Sequence, residues 1–151
     1  MFNFRCIVFF AIIAYAKCEE VEFRSCSGTE ETCTVSNVKI NPCPEAASNK
    51  PCVIKRGKTA DIEFDFIPKN DADSLVGQVY WATEADLPLT GMDTDACKHT
   101  ACPVVKGTKQ TYKYSLQIAK KFPINTYDIK WRLTSGNKVD CCFITAIELK
   151  R

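Results

Sequence analysis

The segment Ala60-Asp61-Ile62-Glu63-Phe64-Asp65-Phe66 alternates apolar and acidic side chains without interruption. Successive side chains of a β-strand point to opposite faces of a sheet, so this pattern indicates a strand with one apolar face and one charged face. Residues 112–118 and 127–133 repeat the alternation, with Lys113, Lys130 and Arg132 among their polar positions. Each of these strands therefore has one face that must be buried against another apolar surface.

Four weaker segments extend the set of predicted strands to seven. They are Val21–Cys26, Cys33–Ile40, Leu75–Ala82 and Val139–Leu149. Turn-forming residues such as Asn41-Pro42, Arg56-Gly57 and Ser135-Gly136 separate the strands, and no long segment has the 3.6-residue period of a helix. Seven one-sided strands separated by turns predict an all-β fold, a two-sheet antiparallel sandwich.

The N-terminus carries the pattern of a secretory signal. A positively charged start, Met1–Arg5, precedes the uncharged run Cys6–Ala16, which is shorter than the roughly 20 apolar residues that a membrane span needs. Cleavage after Ala16 would leave nine cysteines, whereas cleavage after Cys18 would leave eight, and the even number favours the second site. We therefore expect a signal peptide at residues 1–18 and a soluble, secreted domain at residues 19–151.

The charge balance argues against polyanionic partners. The chain has 151 residues with 20 basic and 18 acidic side chains, and loss of Arg5 and Lys17 with the signal leaves 18 of each sign. A neutral chain without a basic run offers no electrostatic case for binding nucleic acid or an anionic membrane surface. The length suits one domain.

The eight cysteines of the mature chain are predicted to form structural disulfides. They are Cys26, Cys33, Cys43, Cys52, Cys97, Cys102, Cys141 and Cys142. Their spacing lacks both the repeated short pairs of a zinc site and a Cys-x-x-Cys redox motif. Two pairs look local, Cys43 with Cys52 and Cys97 with Cys102, and a long-range bond is expected from Cys26 to the Cys141/Cys142 region.

Nothing in the sequence indicates catalysis. His99 is the single histidine, and no serine lies in the Gly-x-Ser-x-Gly setting of a lipase. We therefore expect no enzyme activity, no metal and no cofactor. A protease inhibitor, a second kind of small disulfide scaffold, would have only the loop between Cys97 and Cys102 to present.

Several motifs, taken in chain order, resemble the ML lipid-recognition family, which includes sterol-transfer proteins and mite allergens. The resemblance covers essentially all of residues 19–151. The motifs are Val21-Glu22-Phe23-Arg24-Ser25-Cys26, Asn41-Pro42-Cys43-Pro44, Pro51-Cys52, Asp95-Ala96-Cys97-Lys98, Ala101-Cys102-Pro103, Thr111-Tyr112-Lys113-Tyr114, Phe122-Pro123, Ile129-Lys130-Trp131-Arg132-Leu133 and Cys142-Phe143.

The resemblance implies an immunoglobulin-like sandwich with an apolar cavity between its sheets. It also implies the pairs Cys26–Cys142, Cys43–Cys52 and Cys97–Cys102. This chain adds Cys33 and Cys141, which we expect to form a fourth bond, and Cys26–Cys141 with Cys33–Cys142 stays open as the alternative. Since adjacent strand residues face opposite sides, only one of Cys141 and Cys142 can point into the core.

If a lipid occupies such a cavity, the inward side chains of the strands should contact it. The predicted ligand-binding residues are Ile62, Phe64, Phe66, Leu75, Val79, Trp81, Leu87, Tyr112, Tyr114, Leu116, Phe122, Tyr127, Ile129, Trp131 and Ile147. Sterol-transfer members carry alternating valine and proline at the pocket mouth, where this chain has residues 83–89 with Glu84 and Asp86. Carboxylates are poor lining for a sterol portal, which leaves fatty acids and other small lipids open alongside sterols.

The predicted function is that of a secreted, monomeric, non-enzymatic carrier. Its ligand would be a fatty acid, a sterol or another lipid-like signal, and it would contact a membrane or a receptor to transfer that ligand. The alternative is an immune co-receptor that presents a lipid, for which a basic rim would be expected. The chain has no Asn-x-Ser/Thr site, so extracellular fluid is favoured over the lysosomal lumen. The ligand, the receptor and the tissue are not specified by the sequence.

Overall fold

A computed structural model describes residues 19–29, 32–136 and 138–151. The predicted signal peptide lies outside the described residues. The strands are β1 (Glu19–Glu20), β2 (Arg24–Ser25), β3 (Cys33–Asn41), β4 (Cys52–Lys55), β5 (Thr59–Pro68), β6 (Val76–Trp81), β7 (Leu87–Pro88), β8 (Gln110–Gln117), β9 (Thr126–Ser135) and β10 (Lys138–Lys150). Two short 3-10 helices occupy Pro44–Ser48 and Ala96–Lys98.

The strands form two sheets, which confirms the predicted all-β sandwich. The four-stranded sheet has the order β1-β3-β5-β8, and the six-stranded sheet has the order β2-β10-β9-β6-β7, with β4 also paired to β10. All described pairings are antiparallel except that between β4 and β10. The alternation did not reveal β4 because it is only four residues long and lies between Pro51 and the turn at Gly57.

The predicted first strand, Val21–Cys26, is interrupted. Glu19–Glu20 pairs with β3 in one sheet, whereas Arg24–Ser25 pairs with β10 in the other. The intervening residues cross between the sheets, with the Val21 amide donating to the Val38 carbonyl at 2.9 Å. The N-terminal segment therefore contributes to both layers instead of forming one long strand.

The two ends of the sandwich are held differently. At one end, where β3 and β10 begin, Cys33–Cys141 and Cys26–Cys142 connect parts of the chain that are 108 and 116 residues apart. We call this the clamped end. At the opposite end lie the chain segments 55–58, 82–87 and 118–125, and we call this the groove end.

The order of the adjacent cysteines resolves the pairing that the sequence left open. Cys141 lies in the buried core and bonds Cys33 of the other sheet, with 5.0 Å between the Cα atoms. Cys142 has the opposite strand parity and bonds Cys26, with a Cα separation of 5.4 Å. Cys43–Cys52 and Cys97–Cys102 are the local pairs. The Cys33–Cys141 bond therefore joins β3 of one sheet to β10 of the other through the core, and Cys43, two residues beyond β3, is bonded to Cys52 of β4 in the six-stranded sheet.

A layer of aromatic rings fills the middle of the sandwich. The ring centroid of Phe64 lies 4.9 Å from that of Phe143 and 5.1 Å from that of Tyr112, and Trp131 lies 6.3 Å away. Edge-to-face and stacked contacts at these distances add about 0.5–1.5 kcal/mol per pair beyond area burial. This part of the core is solid, since Phe64, Phe66, Tyr112 and Phe143 are each at most 1% exposed.

The carboxylate of Asp65 links three strands on the outer face of the four-stranded sheet. Asp65 accepts hydrogen bonds from Asn37 Nδ2 at 2.7 Å and Thr111 Oγ1 at 2.7 Å, and its Oδ2 lies 2.7 Å from Lys109 Nζ. Asn37 has φ +52° at a register shift of β3, so Asp65 fixes an irregular strand to two regular ones. The bond to Lys109, followed by that to Thr111, lowers the pKa of Asp65 to about 2.

The lowered pKa of Asp65 predicts a specific pH dependence of stability. In the unfolded chain this carboxyl has a pKa of 3.8, so its contribution is present above pH 4 and is lost as the pH falls towards 2. We expect Asp65→Asn to lower the free energy of unfolding by about 2 kcal/mol at pH 7 and to match the wild type near pH 2. Urea unfolding across this pH range measures the difference. Asp61→Asn on the same strand face is the control, and an equal effect of both would contradict the assignment.

The two long-range disulfides should stabilise the fold non-additively. When Cys26–Cys142 is intact, Cys33–Cys141 closes only a loop of about eight residues, so losing either bond alone should cost about 2–3 kcal/mol. Removing both opens a loop of more than 100 residues as well and should cost about 7 kcal/mol, more than the sum of the single losses. Guanidinium unfolding of the two paired Cys→Ala variants and their combination tests this, and strict additivity would refute it.

Candidate ligand-binding site

The groove end of the sandwich contains a small aliphatic cavity between the sheets. Its volume is about 20 Å³, which is room for about one water molecule. The lining residues are Ile40, Ile54, Ala60, Asp61, Ile62, Leu116, Ile118, Ile129, Trp131, Thr145 and Ile147. Six of them are isoleucines, contributed by both sheets, and Trp131 marks the boundary with the aromatic layer.

The polar groups in this wall are satisfied or lie at its rim. Thr145 is 3% exposed, and its Oγ1 donates to the Glu22 carbonyl oxygen at 2.8 Å. Asp61 is exposed and its carboxylate accepts a hydrogen bond from the Ser115 hydroxyl. The interior surface is therefore suited to hydrocarbon, because it offers no unpaired polar group to a ligand.

A surface groove of about 220 Å³ lies beside the cavity. It runs between the edge strand β8 and residues 89–92, and its lining residues are Leu89, Thr90, Gly91, Met92, Tyr114, Ser115, Leu116, Gln117, Ala119, Lys121 and Phe122. Leu116 lines both spaces, so this half-buried side chain separates the groove from the cavity.

An aromatic cluster supports the mouth of the groove. The Trp81 ring centroid lies 5.1 Å from that of Phe122 and 4.5 Å from that of Tyr127. The Tyr127 hydroxyl donates to the Pro123 carbonyl at 3.0 Å, which fixes the loop that carries Phe122. The groove therefore has one rigid aromatic wall, whereas Leu89 and Met92 form an aliphatic one.

The structure distributes the predicted ligand-binding residues over several environments. Those that line the cavity are Ile62, Leu116, Ile129, Trp131 and Ile147. Those that line the groove or support its mouth are Tyr114, Leu116, Phe122, Trp81 and Tyr127. The aromatic layer contains Phe64, Phe66 and Tyr112. Leu75 and Val79 are buried in the core without lining either space, and Leu87 is 55% exposed and lines neither.

The sequence did not identify several lining residues. Ala60 and Ile118 belonged to the alternating segments but were not selected, and Ile40 lies in a strand whose pattern was weaker. Ile54 belongs to β4, which had no detectable pattern. Leu89 lies in the segment 83–89 that the resemblance placed at the pocket mouth, but Leu87 was selected from that segment instead.

An ion pair explains why Leu87 faces solvent. The carboxylate of Asp86 lies 2.6 Å from Lys130 Nζ and 2.9 Å from Arg132 Nη2, on the outer face of the six-stranded sheet. Asp86 has φ +45°, a left-handed conformation that turns the chain sharply before β7. These contacts draw the loop outwards, so neither Glu84 nor Asp86 lines the groove. The objection to sterol based on these carboxylates therefore does not apply to this structure.

A larger cleft of about 530 Å³ lies over β5 and β8 of the four-stranded sheet. Its lining combines charged side chains, among them Asp61, Glu63 and Lys113, with Ile62 and Tyr114. The His99 ring packs 4.6 Å from the ring of Tyr114, which makes His99 half-buried. The charged side chains at this cleft distinguish it from the cavity between the sheets, whose lining is mainly aliphatic.

Within the described ranges, no group of three or more histidine, cysteine, aspartate or glutamate side chains is arranged to hold a metal ion. Among the same residues, no helix is long and apolar enough to cross a membrane. The buried Tyr112 hydroxyl packs against Gly77, and burial raises the pKa of Tyr112 well above its usual value. This phenol is therefore neutral at physiological pH.

The fold and the site together define a disulfide-bonded β-sandwich whose apolar interior adjoins a surface groove. The model of the ML domain matches residues 20–149, and the chain belongs to this family. The sequence is 36% identical over 136 residues to an MD-2-related lipid-recognition protein of Manduca sexta, covering 88% of this chain and 87% of that protein. The resemblance to the family inferred from the motifs is thereby confirmed.

Two further comparisons agree. The mite group 2 allergen Tyr p 2 of Tyrophagus putrescentiae is 26% identical, with 95% of this chain and 97% of the allergen covered. A crystal structure of a Niemann-Pick type C2 protein from the Japanese carpenter ant superposes with a TM-score of 0.75 at 21% identity, covering 85% of this chain and 99% of the other. The structural match supports the fold.

The Asp86 ion pair should be energetically significant. The Asp86 and Lys130 side chains are 20% and 15% exposed, compared with 39% and 61% for the Asp128–Arg24 pair on the same face. A double-mutant cycle of Asp86→Ala and Lys130→Ala should give a coupling energy of about 1–2 kcal/mol that persists in salt, and the exposed pair should give less than about 1 kcal/mol. Thermal unfolding of the four variants measures the coupling, and equal couplings for the two pairs would contradict this account.

Proposed function

We propose that this protein is a non-enzymatic carrier of a single-chain lipid such as a fatty acid. The observation that carries the proposal is the position of Leu116, which separates an aliphatic cavity from a surface groove of about 220 Å³. The lipid-recognition family to which the chain belongs supports the general activity. No step of this function requires covalent chemistry.

The small volume of the cavity defines how a ligand would enter. Sites for small molecules usually measure about 300–1,000 Å³, so binding requires the sheets to separate at the groove end. A flexible acyl tail enters such a space one methylene at a time after Leu116 rotates, with about 0.8 kcal/mol gained per buried methylene. A rigid sterol would need the full width at once, and we therefore favour an acyl ligand over a sterol.

A chain-length series of saturated fatty acids tests the proposal. We expect the affinity to rise about fourfold per added methylene and then to level off when the tail reaches the aromatic layer at Trp131. Ala60→Val adds two methyl groups to the wall of the cavity behind Leu116 and should bring this plateau forward to shorter acids. Displacement of a fluorescent fatty acid from the oxidised protein gives these affinities.

The matched control is Ala146→Val, which adds the same two methyl groups at a half-buried position of opposite strand parity to the cavity residues Thr145 and Ile147. It should leave the chain-length series unchanged. Independence of affinity from chain length in the wild type, or equal effects of the two variants, would contradict binding in the cavity. Native mass spectrometry with solvent extraction of the secreted, unreduced protein then identifies the natural ligand.

Four disulfides support an oxidising compartment, and we propose that the protein acts outside the cell. The chain would act as a monomer, and the predicted cleavage after Cys18 belongs to this proposal. A lipid-presenting co-receptor is the second candidate. One observation favours it: the exposed side chains of Lys55, Lys58, Lys120 and Lys121 belong to two hydrogen-bonded neighbouring segments at the groove end, although the mature chain is neutral as a whole.

A further inference from the structure

One side of the groove is attached more firmly to one sheet than to the other. The segment 89–99, which we call the wall segment, begins with four residues that line the groove. On the side of the six-stranded sheet, the Leu89 amide donates to the Val79 carbonyl at 2.8 Å. The Ala96 amide donates to the carbonyl of Leu75, next to β6, at 3.1 Å. The wall segment is therefore a continuation of the six-stranded sheet.

In the described part of the chain, two hydrogen bonds connect the wall segment to β8 of the four-stranded sheet. The Asp93 amide donates to Tyr114 Oη at 2.9 Å, and the Lys113 amide donates to the His99 carbonyl at 3.0 Å. We call this pair of contacts the seam. The groove lies between β8 and residues 89–92, so the seam limits the distance between its two sides.

The imidazole ring of His99 supports the seam. Its centroid lies 4.6 Å from that of Tyr114 in an edge-to-face contact and 5.8 Å from that of Tyr112. Tyr114 lines the groove, and its ring lies 6.0 Å from that of Trp131, which lines the cavity. His99 therefore packs against the ring that links the groove to the wall of the cavity.

The seam accommodates the neutral form of His99 better than the protonated form. Among the described residues, His99 Nε2 is buried without a hydrogen-bond partner. The imidazolium carries a proton on both ring nitrogens, so protonation in this position leaves a buried donor unpaired. Histidine changes its charge between about pH 5 and 8, and His99 is the single histidine of the chain. A drop in pH within this range therefore destabilises the packed position of the ring.

The charged groups of the wall segment are paired with each other. Lys98 Nζ lies 2.8 Å from the Asp93 carboxylate and 3.8 Å from that of Asp95. The hydrogen bond from Lys98, followed by that from the Asp95 amide, lowers the pKa of Asp93, so this carboxylate stays ionised and paired where a histidine titrates. The neighbouring strand β6 contains no charged side chain. In the described ranges, no carboxylate lies within ion-pair distance of the His99 ring.

The surface cleft over β5 and β8 offers the imidazolium a partner. His99 lines this cleft of about 530 Å³ together with Asp61, Glu63 and Lys113. The Glu63 carboxylate lies 2.8 Å from Lys113 Nζ. The Asp61 carboxylate accepts a hydrogen bond from the Ser115 hydroxyl and has no cationic partner among the residues that the structure describes. The cleft therefore suits the charged ring, whereas the seam suits the neutral one.

We propose that His99 is a proton-dependent positioning residue, which keeps the seam closed when neutral and loosens it when protonated. The protonated ring leaves Tyr114 for the cleft near Asp61, and the wall segment, held by the six-stranded sheet, separates from β8. Protons bind the open arrangement better than the closed one, so acid shifts the population towards the open groove. The opening needs no ligand. Its consequence, faster release of lipid in acid, rests on the proposed function.

Amide hydrogen exchange in the ligand-free, oxidised protein tests the opening, because the Asp93 and Lys113 amides are the donors of the seam. Between pH 7.5 and 5, we expect their protection factors, corrected for the intrinsic pH dependence of exchange, to fall about tenfold. The Leu89 and Ala96 amides, which bond to the other sheet, should keep theirs. The Hε1 signal of His99 follows the titration in the same samples.

His99→Phe keeps an aromatic ring on Tyr114 but takes up no proton, so its seam should stay closed at both pH values. His99→Gln, a second variant that cannot be charged, should also lack the pH dependence. The matched control is Tyr114→Phe, which removes the hydrogen bond from the Asp93 amide. It should lower the protection of the Lys113 amide at both pH values and retain the pH dependence. Asp61→Asn removes the unpaired carboxylate and should reduce the pH dependence.

Three results would overturn the inference. They are protection of the Lys113 amide that is independent of pH in the wild type, a pH dependence that persists in His99→Phe, and an equal fall in protection at the Ala96 amide. Each would show that protonation of His99 does not loosen the seam selectively.

Release of bound N-phenyl-1-naphthylamine, an apolar fluorophore that stays uncharged over this range, tests the consequence. We expect its dissociation rate to rise about tenfold from pH 7.5 to 5 in the wild type and to stay constant in His99→Phe. A pH-dependent seam in a protein that binds no apolar probe would support this inference and contradict the proposed function. Failure of the one is therefore distinguishable from failure of the other.

Discussion

The structure depends on an asymmetric attachment between its two sheets. At the clamped end, the Cys33–Cys141 bond passes through the core, and next to it the aromatic layer around Phe64 fills the middle of the sandwich. At the groove end, aliphatic side chains meet across a cavity of about 20 Å³. Towards this end the Cys43–Cys52 bond ties the segment after β3 to β4 of the other sheet. Branched aliphatic contacts are easier to separate than a covalent link, so any opening is concentrated on the opposite side, along the edge strand β8.

Much of this architecture could be predicted from residue patterns. The alternation around Ile62 identified a half-buried strand, and the adjacency of Cys141 and Cys142 required one of them to face the core. Parity alone did not say which of the two it was, because that depends on how β10 lies against β3. The parallel strand β4 was missed for a related reason. Four residues are too few to show an alternation, so this strand is recognised only by its pairing with β10.

The site was only partly predictable. Alternation shows that Phe64 and Ile129 both point inwards, but it cannot distinguish a side chain packed in a solid layer from one beside a void. That distinction depends on how the two sheets fit together, as the different surroundings of these two residues show. Leu87 illustrates another limit, since the ion pairs of Asp86 with strand β9 turn its loop away from the groove. Net charge was equally uninformative, because it contains no information about which loops become neighbours.

The most direct test of the account is nuclear Overhauser contact between a bound fatty acid and labelled isoleucine methyl groups. We predict contacts from the acyl chain to the isoleucines that line the cavity, Ile40, Ile54, Ile62, Ile118, Ile129 and Ile147, with none to Ile67 and Ile144, which have the opposite strand parity. This result would show that hydrocarbon passes Leu116 and separates the sheets at the groove end. Contacts confined to surface methyl groups, with no nuclear Overhauser contact to the six cavity isoleucines, would contradict the account.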